Sequence, residues 1–207
     1  MDKKIEIRTL PIELRAEEDS KKIVGYAAVY EQLSEDLGGF REKIKKGAFA
    51  NSIVTDDIKL LFNHDPNYVL GRNKNGTLKL EEDDYGSKIE AIPPDTSFAK
   101  DLINLLERGD IDQMSFGFIV NKDEWDTTDK DNPIRTLLDV SLFDTSVVVY
   151  PAYKQTVANV RSVSEVLRDF QNRQKQELEL EEINAKSQER KAKLLEIKLD
   201  VVKGELK

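Results

Sequence analysis

The sequence predicts an α+β fold, with a barrel-like or sandwich-like core of short strands, a few helices, and a long helix at the C-terminal end. Two observations predict it. Through residue 162, β-rich runs at 22–30, 58–63, 77–81, 88–92, 114–120 and 134–150 are separated by turn signals. After Ser162 the texture changes, with no proline and a single glycine, Gly204. The expected organisation is a globular domain over 1–162 and a charged, helical tail over 163–207.

The elements follow in order. After the strand at 22–30, residues 47–53 read as a short helix. The strand at 58–63 carries Leu60-Leu61-Phe62, and Asp65-Pro66 then takes the chain out of the sheet, because proline cannot donate to a ladder. Asn75-Gly76 reads as a hairpin turn, since both residue types tolerate positive φ. Thr96-Ser97 caps a helix that carries Phe98, Leu102, Leu105 and Leu106, runs through Arg108 and stops at Gly109. A polar loop, 126–133, joins the last two strands. In the tail, Leu167, Phe170, Leu178, Ile183, Leu194, Ile197 and Val201 fall roughly on helical spacing, with polar interruptions around Gln174 and Ser187. That pattern gives a long helix in need of a partner rather than a strong autonomous coiled coil.

Composition removes several function classes. Of the 207 residues 35% are charged and 39% hydrophobic, with a net charge of −8. The tail balances ten basic against ten acidic side chains, so the negative excess lies wholly before Val163. A surface of that sign does not neutralise phosphates, and no nucleic-acid partner is expected. Residues 41–46 are locally basic but include Glu42, and read as a solvated face. No apolar run approaches the ~18 residues of a membrane span, and the N-terminus lacks the apolar centre of a signal peptide. The expectation is a cytoplasmic protein without a membrane partner. With one histidine and no cysteine, a zinc site of nitrogen and sulfur ligands is ruled out. No spacing among the acidic residues singles out a Mg²⁺ site, Gly38-Gly39 lacks the Lys-Ser/Thr of a P-loop, and no G-x-S-x-G elbow occurs. No metal and no cofactor is expected.

Three kinds of side chain remain for chemistry. His64, the only histidine, sits where a strand ends, and its imidazole is available for proton transfer near neutral pH. Ser115 lies in Gln113-Met114-Ser115-Phe116-Gly117-Phe118, where Gly117 points the same way and leaves room for a substrate backbone. Taken singly, each has a plainer reading, as a strand-end histidine and as a small polar residue on a half-buried strand. If 114–120 and 134–140 form a hairpin, Ser115 lies roughly opposite Asp139, close enough to share one histidine. Asp144, among Leu142, Phe143 and Val147, is similarly placed, and the choice between the two acids stays open. Either one is costly to bury without a hydrogen-bond partner, which an imidazole would supply.

The motifs together resemble a family. Gly25-Tyr26-Ala27-Ala28-Val29-Tyr30, Phe40-Arg41-Glu42 with Gly47-Ala48-Phe49, Phe62-Asn63-His64-Asp65, Leu70-Gly71-Arg72, Met114-Ser115-Phe116-Gly117-Phe118 and the segment 147–153 with Pro151-Ala152 occur in one order. That series is similar to the prohead maturation proteases of tailed phages, over about two thirds of the chain. The resemblance implies a serine endopeptidase that works inside the immature capsid in the host cytoplasm. Its implied substrates are the scaffold and the major capsid protein. The implied fold is that of herpesvirus assemblins, a small β-barrel flanked by helices. The resemblance makes Ser115 the nucleophile and His64 the general base. The third member lies on the strand after the serine strand, with Asp139 the first choice and Asp144 the reserve. The tail is expected to tether the enzyme to scaffold or to self-associate. The competing expectation is an inactive assembly protein of the same fold that binds scaffold.

Overall fold

Where apolar side chains alternate the chain is extended, and where they recur every third or fourth residue it is helical. A computed structural model of the chain describes residues 4–11, 15–17, 22–150 and 163–205. The strands are β1 (Glu6–Pro11), β2 (Arg15–Glu17), β3 (Lys22–Val29), β4 (Arg41–Ile44), β5 (Lys59–Phe62), β6 (Asp65–Arg72), β7 (Leu78–Glu82), β8 (Gly86–Ala91), β9 (Gln113–Asp126) and β10 (Ile134–Val148). The helices are α1 (Ala50–Thr55), α2 (Ser97–Glu107) and α3 (Val163–Glu205). The chain divides into two compact units, Met1–Val163 and Ser164–Lys207. The expected boundary after residue 162, and Pro151-Ala152, lie outside the described residues.

The first unit is α+β and mostly strand. One sheet runs β1-β9-β10-β5-β6 with β4 also on β10, and a second runs β2-β3-β8-β7. Ile23, Leu60, Leu80, Ile89, Phe116 and Val140, drawn from both sheets, belong to one buried core. The barrel that the resemblance implies is not found: among the described residues the strands form two sheets, and no ring of paired strands closes. In α2, Ala99, Leu102, Ile103 and Leu106 are buried on one face, and Thr96 caps the helix by accepting from the Ala99 N–H at 3.3 Å. Gly109 ends it at a φ of 73°.

Several expectations change. Asn75-Gly76 forms a turn, with Gly76 left-handed after a 3-10 turn at Asn73–Asn75, but not a hairpin. The strands on either side pair elsewhere, β6 with β5 and β7 with β8. Pro66 does not end the sheet; it lies in β6, the last strand of its path, where a missing N–H costs no ladder bond. Residues 41–44 are a strand parallel to β10, with Glu42 buried rather than solvated.

Glu42 is buried because it belongs to a charge cluster. Arg135, with a side chain 1% exposed, donates to Glu6 at 2.8 Å, to Glu42 at 3.0 Å and to Asp123 at 2.8 Å. Arg8 donates to Glu6 and to Glu42, each at 2.8 Å. Burial pulls the Arg135 guanidinium down, but Glu42 and Glu6 outweigh it and hold it above its ordinary value. The Arg135 guanidinium stands 5.8 Å from the centre of the Trp125 ring, and that of Arg8 stands 5.5 Å from the Phe118 ring centre. The cluster thus ties β1 and β4 to the pair β9–β10 through buried polar contacts.

The second unit is the helix α3, which contains no sustained apolar stripe. Leu178, Leu180 and Ile183 are exposed on it, and Glu182 pairs with Lys186 one turn on at 3.8 Å. At 1.5 Å per residue its 43 residues span about 65 Å. No helix among the described residues is long and apolar enough to cross a membrane.

Removing one partner of a buried ion network leaves the others unpaired in a low dielectric. Arg135→Met therefore lowers unfolding free energy by about 3–5 kcal/mol, read from urea denaturation at neutral pH. A loss below about 1 kcal/mol, the scale of an exposed pair, would contradict the account of the cluster.

Candidate functional site

Three backbone decisions assemble the site. First, β9 pairs antiparallel with β10, which sets Ser115 opposite Ser146 and Gly117 opposite Asp144. Second, β5 runs parallel to β10 and sets Phe62 beside Val147. Third, a two-residue turn, Asn63-His64, joins β5 to β6, with φ of 52° and 58°. Both residues are left-handed, as a tight hairpin turn between twisted strands requires. Asparagine adopts that conformation readily, whereas for histidine it costs about 1–2 kcal/mol. Asn63 fixes the turn against the end of β10. Its N–H donates to the Val147 carbonyl at 2.9 Å, and its side-chain oxygen accepts from the Val149 N–H at 3.1 Å.

The turn delivers the imidazole between a hydroxyl and a carboxylate. His64 Nε2 is 2.7 Å from Ser115 Oγ, and Nδ1 is 2.6 Å from Asp144 Oδ2 and 3.2 Å from Oδ1. An ionised carboxylate only accepts, so Nδ1 carries the proton toward Asp144 and Nε2 offers its lone pair to Ser115. The side chains of His64 and Asp144 are 12% and 13% exposed. Ser115 is fully buried, and its Oγ also lies 2.9 Å from the Arg8 carbonyl. The one hydroxyl proton therefore has two acceptors. Such an arrangement supports proton transfer from a hydroxyl to an imidazole whose cationic form the carboxylate stabilises.

Of the acids expected beside the histidine, Asp144 is the one in contact, and Asp139 is not. Asp139 pairs in register with Lys122, and its carboxylate accepts from the Asn51 amide at 3.4 Å on the exposed side. The reason is strand length. Pairing begins next to the loop, at Asp126 and Ile134, and β9 continues through Lys122 rather than stopping at Val120. Each step back along β9 meets a step forward along β10, so Ser115 comes opposite Ser146. Irregular pairing around Leu142 and Asp144 keeps Asp144 over Gly117.

Gly117 has a different use from the one expected. The space its missing side chain leaves is taken by the Asp144 carboxylate, since a Cβ there would lie 2.6 Å from Oδ1. Ser146 is also drawn in, with its Oγ 3.1 Å from Asp144 Oδ2 and 3.2 Å from the His64 backbone nitrogen. The sequence did hold a signal for this: Ser115-x-Gly117 and Asp144-x-Ser146 each put two small or polar groups on one face of a strand. Among the described residues no group of three or more His, Asp or Glu is placed to hold a metal ion. A cavity of about 220 Å³ lies among Arg8, Thr9, Leu33, Glu42 and Phe116, but His64, Ser115 and Asp144 do not line it.

Residues 10–169 match the family described as caudovirus prohead serine protease. The prohead protease of Enterobacteria phage HK97 is 30% identical over 154 residues, which is 72% of this chain and 64% of that relative. The match thus spans a little under two thirds of the relative's length. No solved structure matches the chain.

Because the Gly117 space holds the far end of a side chain and no backbone, Gly117→Ala should leave the fold intact and displace the carboxylate. A crystal structure of the variant is expected to have Asp144 turned away, with Nδ1 beyond hydrogen-bond distance of both oxygens. An unchanged contact in a folded variant would contradict the role given to Gly117.

Proposed function

The chain belongs to the caudovirus prohead serine protease family, and from that premise we propose that it is a serine endopeptidase acting through Ser115, His64 and Asp144. The observation that supports this most is the single imidazole bridging Ser115 Oγ at 2.7 Å and Asp144 Oδ2 at 2.6 Å. The proposed place of action is the interior of the assembling prohead, in the host cytoplasm. The proposed substrates are the scaffold and the major capsid protein. The family description and the name of the HK97 relative support that setting. An assemblin-like fold belongs to the same proposal. Two sheets sharing one core support it, and superposing an experimental structure on an assemblin tests it.

The chemistry follows from the positions of the protons. As Ser115 Oγ attacks the peptide carbonyl carbon, its proton passes to His64 Nε2. Asp144 holds Nδ1–H and stabilises the imidazolium without taking the proton. Nε2 then protonates the leaving nitrogen as the C–N bond breaks, and Ser115 keeps the acyl group. Water, deprotonated by the same nitrogen, attacks the ester carbon; the bond from that carbon to Ser115 Oγ breaks, the acid leaves, and Nε2 returns the proton to Oγ.

Incubation with the phage's own capsid protein, followed by intact-mass measurement, tests the reading. Ser115→Ala and His64→Ala should each abolish the shortened product while the fold is kept, because the two act as a unit. Asp144→Asn should slow cleavage by roughly 10⁴-fold, and Asp139→Asn by no more than about twofold, as for most substitutions of solvent-facing groups. Cleavage by folded Ser115→Ala would remove the serine-peptidase reading, and unaltered processing by that variant in infected cells would favour an inactive assembly role.

The tail enters the proposal as a tether to scaffold, with autolysis around 161–169 releasing the enzyme; residues 161 and 162 of that junction lie outside the described residues. The exposed Leu178, Leu180 and Ile183 on a helix with balanced charge support a partner-seeking role. A chain ending at residue 162 should still cleave capsid protein in solution and be packaged poorly into proheads. Normal packaging would remove the tether, and loss of cleavage in solution would make the tail part of the catalytic unit.

A further inference from the structure

Ser146 is fully buried in the middle of the sheet, flanked in register by Ser115 on β9 and by Leu61 on β5. A serine hydroxyl has one proton to give and two lone pairs to accept with. Here each direction is used by the proposed triad. The hydroxyl donates to Asp144 Oδ2 at 3.1 Å and accepts the His64 backbone N–H at 3.2 Å, and it lies 3.3 Å from Nδ1. The comparison within the same strand is informative. The neighbouring Thr145 is as deeply buried, on the other face, and among the described residues its hydroxyl has no hydrogen-bond partner. Burial on β10 alone therefore does not give a hydroxyl this set of contacts.

We propose that Ser146 is a positioning residue of the catalytic site, a fourth member that holds the carboxylate and the histidine backbone with one oxygen. The inference rests on the reading of Ser115, His64 and Asp144 as a triad. His64 stands in a left-handed conformation that a non-glycine residue resists, and its N–H needs a partner inside the protein. Ser146 supplies that partner and so holds the turn in place. Its proton simultaneously occupies one lone pair of Asp144 Oδ2, which leaves the carboxylate oriented with its remaining acceptor toward Nδ1. The distance from Nδ1 to Oδ2, 2.6 Å, is the shortest contact of the group. Removing the hydroxyl releases both ends at once. The cost then falls on the rate of the proton transfer and not on substrate binding.

The test uses the full chain and a fluorophosphonate probe, which reports activation of the serine without a known substrate. Saturation kinetics separate the maximal labelling rate from probe affinity. For Ser146→Ala the maximal rate should fall about 10- to 100-fold, the scale of a hydrogen bond to a charged group. Probe affinity should stay within about threefold, and Thr145→Val should label within about twofold of the unaltered chain, as uncoupled substitutions do. In an Asp144→Ala background, Ser146→Ala should cost less than in the unaltered chain, since only its hold on the His64 N–H is then left to lose. An unchanged maximal rate would overturn the proposal, as would an equal loss in Thr145→Val or a full further loss in the Asp144→Ala background. If Ser146→Ala does not fold, Ser146→Cys keeps the volume with only a weak donor and carries the same expectations. Failure of the underlying reading looks different, because the unaltered chain would then not be labelled at Ser115 at all.

Discussion

The pairing of β9 with β10 sets which side chains can meet, because a step of one residue on either strand would turn every side chain to the opposite face. In the observed register Ser115 and Gly117 face Ser146 and Asp144, so a hydroxyl, an empty place, a second hydroxyl and a carboxylate form one small polar patch. The empty place matters as much as the groups around it. A Cβ at Gly117 would come within 2.6 Å of Asp144 Oδ1, and the carboxylate would have to turn away from the histidine. The imidazole then arrives from the third strand, β5, through a turn whose geometry is fixed by Asn63 and Ser146.

The other face of the same strands holds the charge cluster. Arg8, Glu6, Glu42, Arg135 and Asp123 bind β1, β4, β9 and β10 into one body. The two faces connect through β1. Thr9 pairs with Ser115, and the Arg8 carbonyl accepts from its hydroxyl while the Arg8 side chain enters the cluster. A buried ion network is weak support for stability against an apolar alternative of equal volume, but its geometry is demanding. That demand fits a sheet in which one register must win. It also fits the position of Ser115, which is buried with its one hydroxyl proton between two acceptors, the Arg8 carbonyl and His64 Nε2.

The sequence carried the strands whose buried faces are apolar and the helix α2 with its capping threonine. It also carried His64 and Ser115 as the residues worth attention. It concealed β1 and β4, because beside Ile44 their described buried positions are Glu6, Arg8 and Glu42, and charge on a buried face looks like a solvated surface until its partners are known. Asp144 was hidden by a different cause. Both Asp139 and Asp144 stand among apolar neighbours on one strand, and the choice between them depends on where the partner strand begins. Reading 121–126 as outside the strand moved the expected partner of Ser115 from Ser146 to Asp139. Gly117 and Ser146 could not be valued until the acid was placed, since their whole use is to hold it. The strand pattern left a barrel-like and a sandwich-like core open and the resemblance implied the barrel, but pairing among the described residues gives two sheets and no closed ring.

The central claim is that one histidine is held by Asp144 at Nδ1 and faces Ser115 at Nε2. Because His64 is the only histidine in the chain, a proton spectrum contains a single set of imidazole signals and needs no assignment among several rings. The measurement is that spectrum in the downfield region where strongly hydrogen-bonded ring N–H protons appear. The account predicts one such Nδ1–H signal in the unaltered protein, kept in Asp139→Asn and lost or moved strongly upfield in Asp144→Asn. A signal that survives Asp144→Asn unchanged, or disappears in Asp139→Asn, would contradict it.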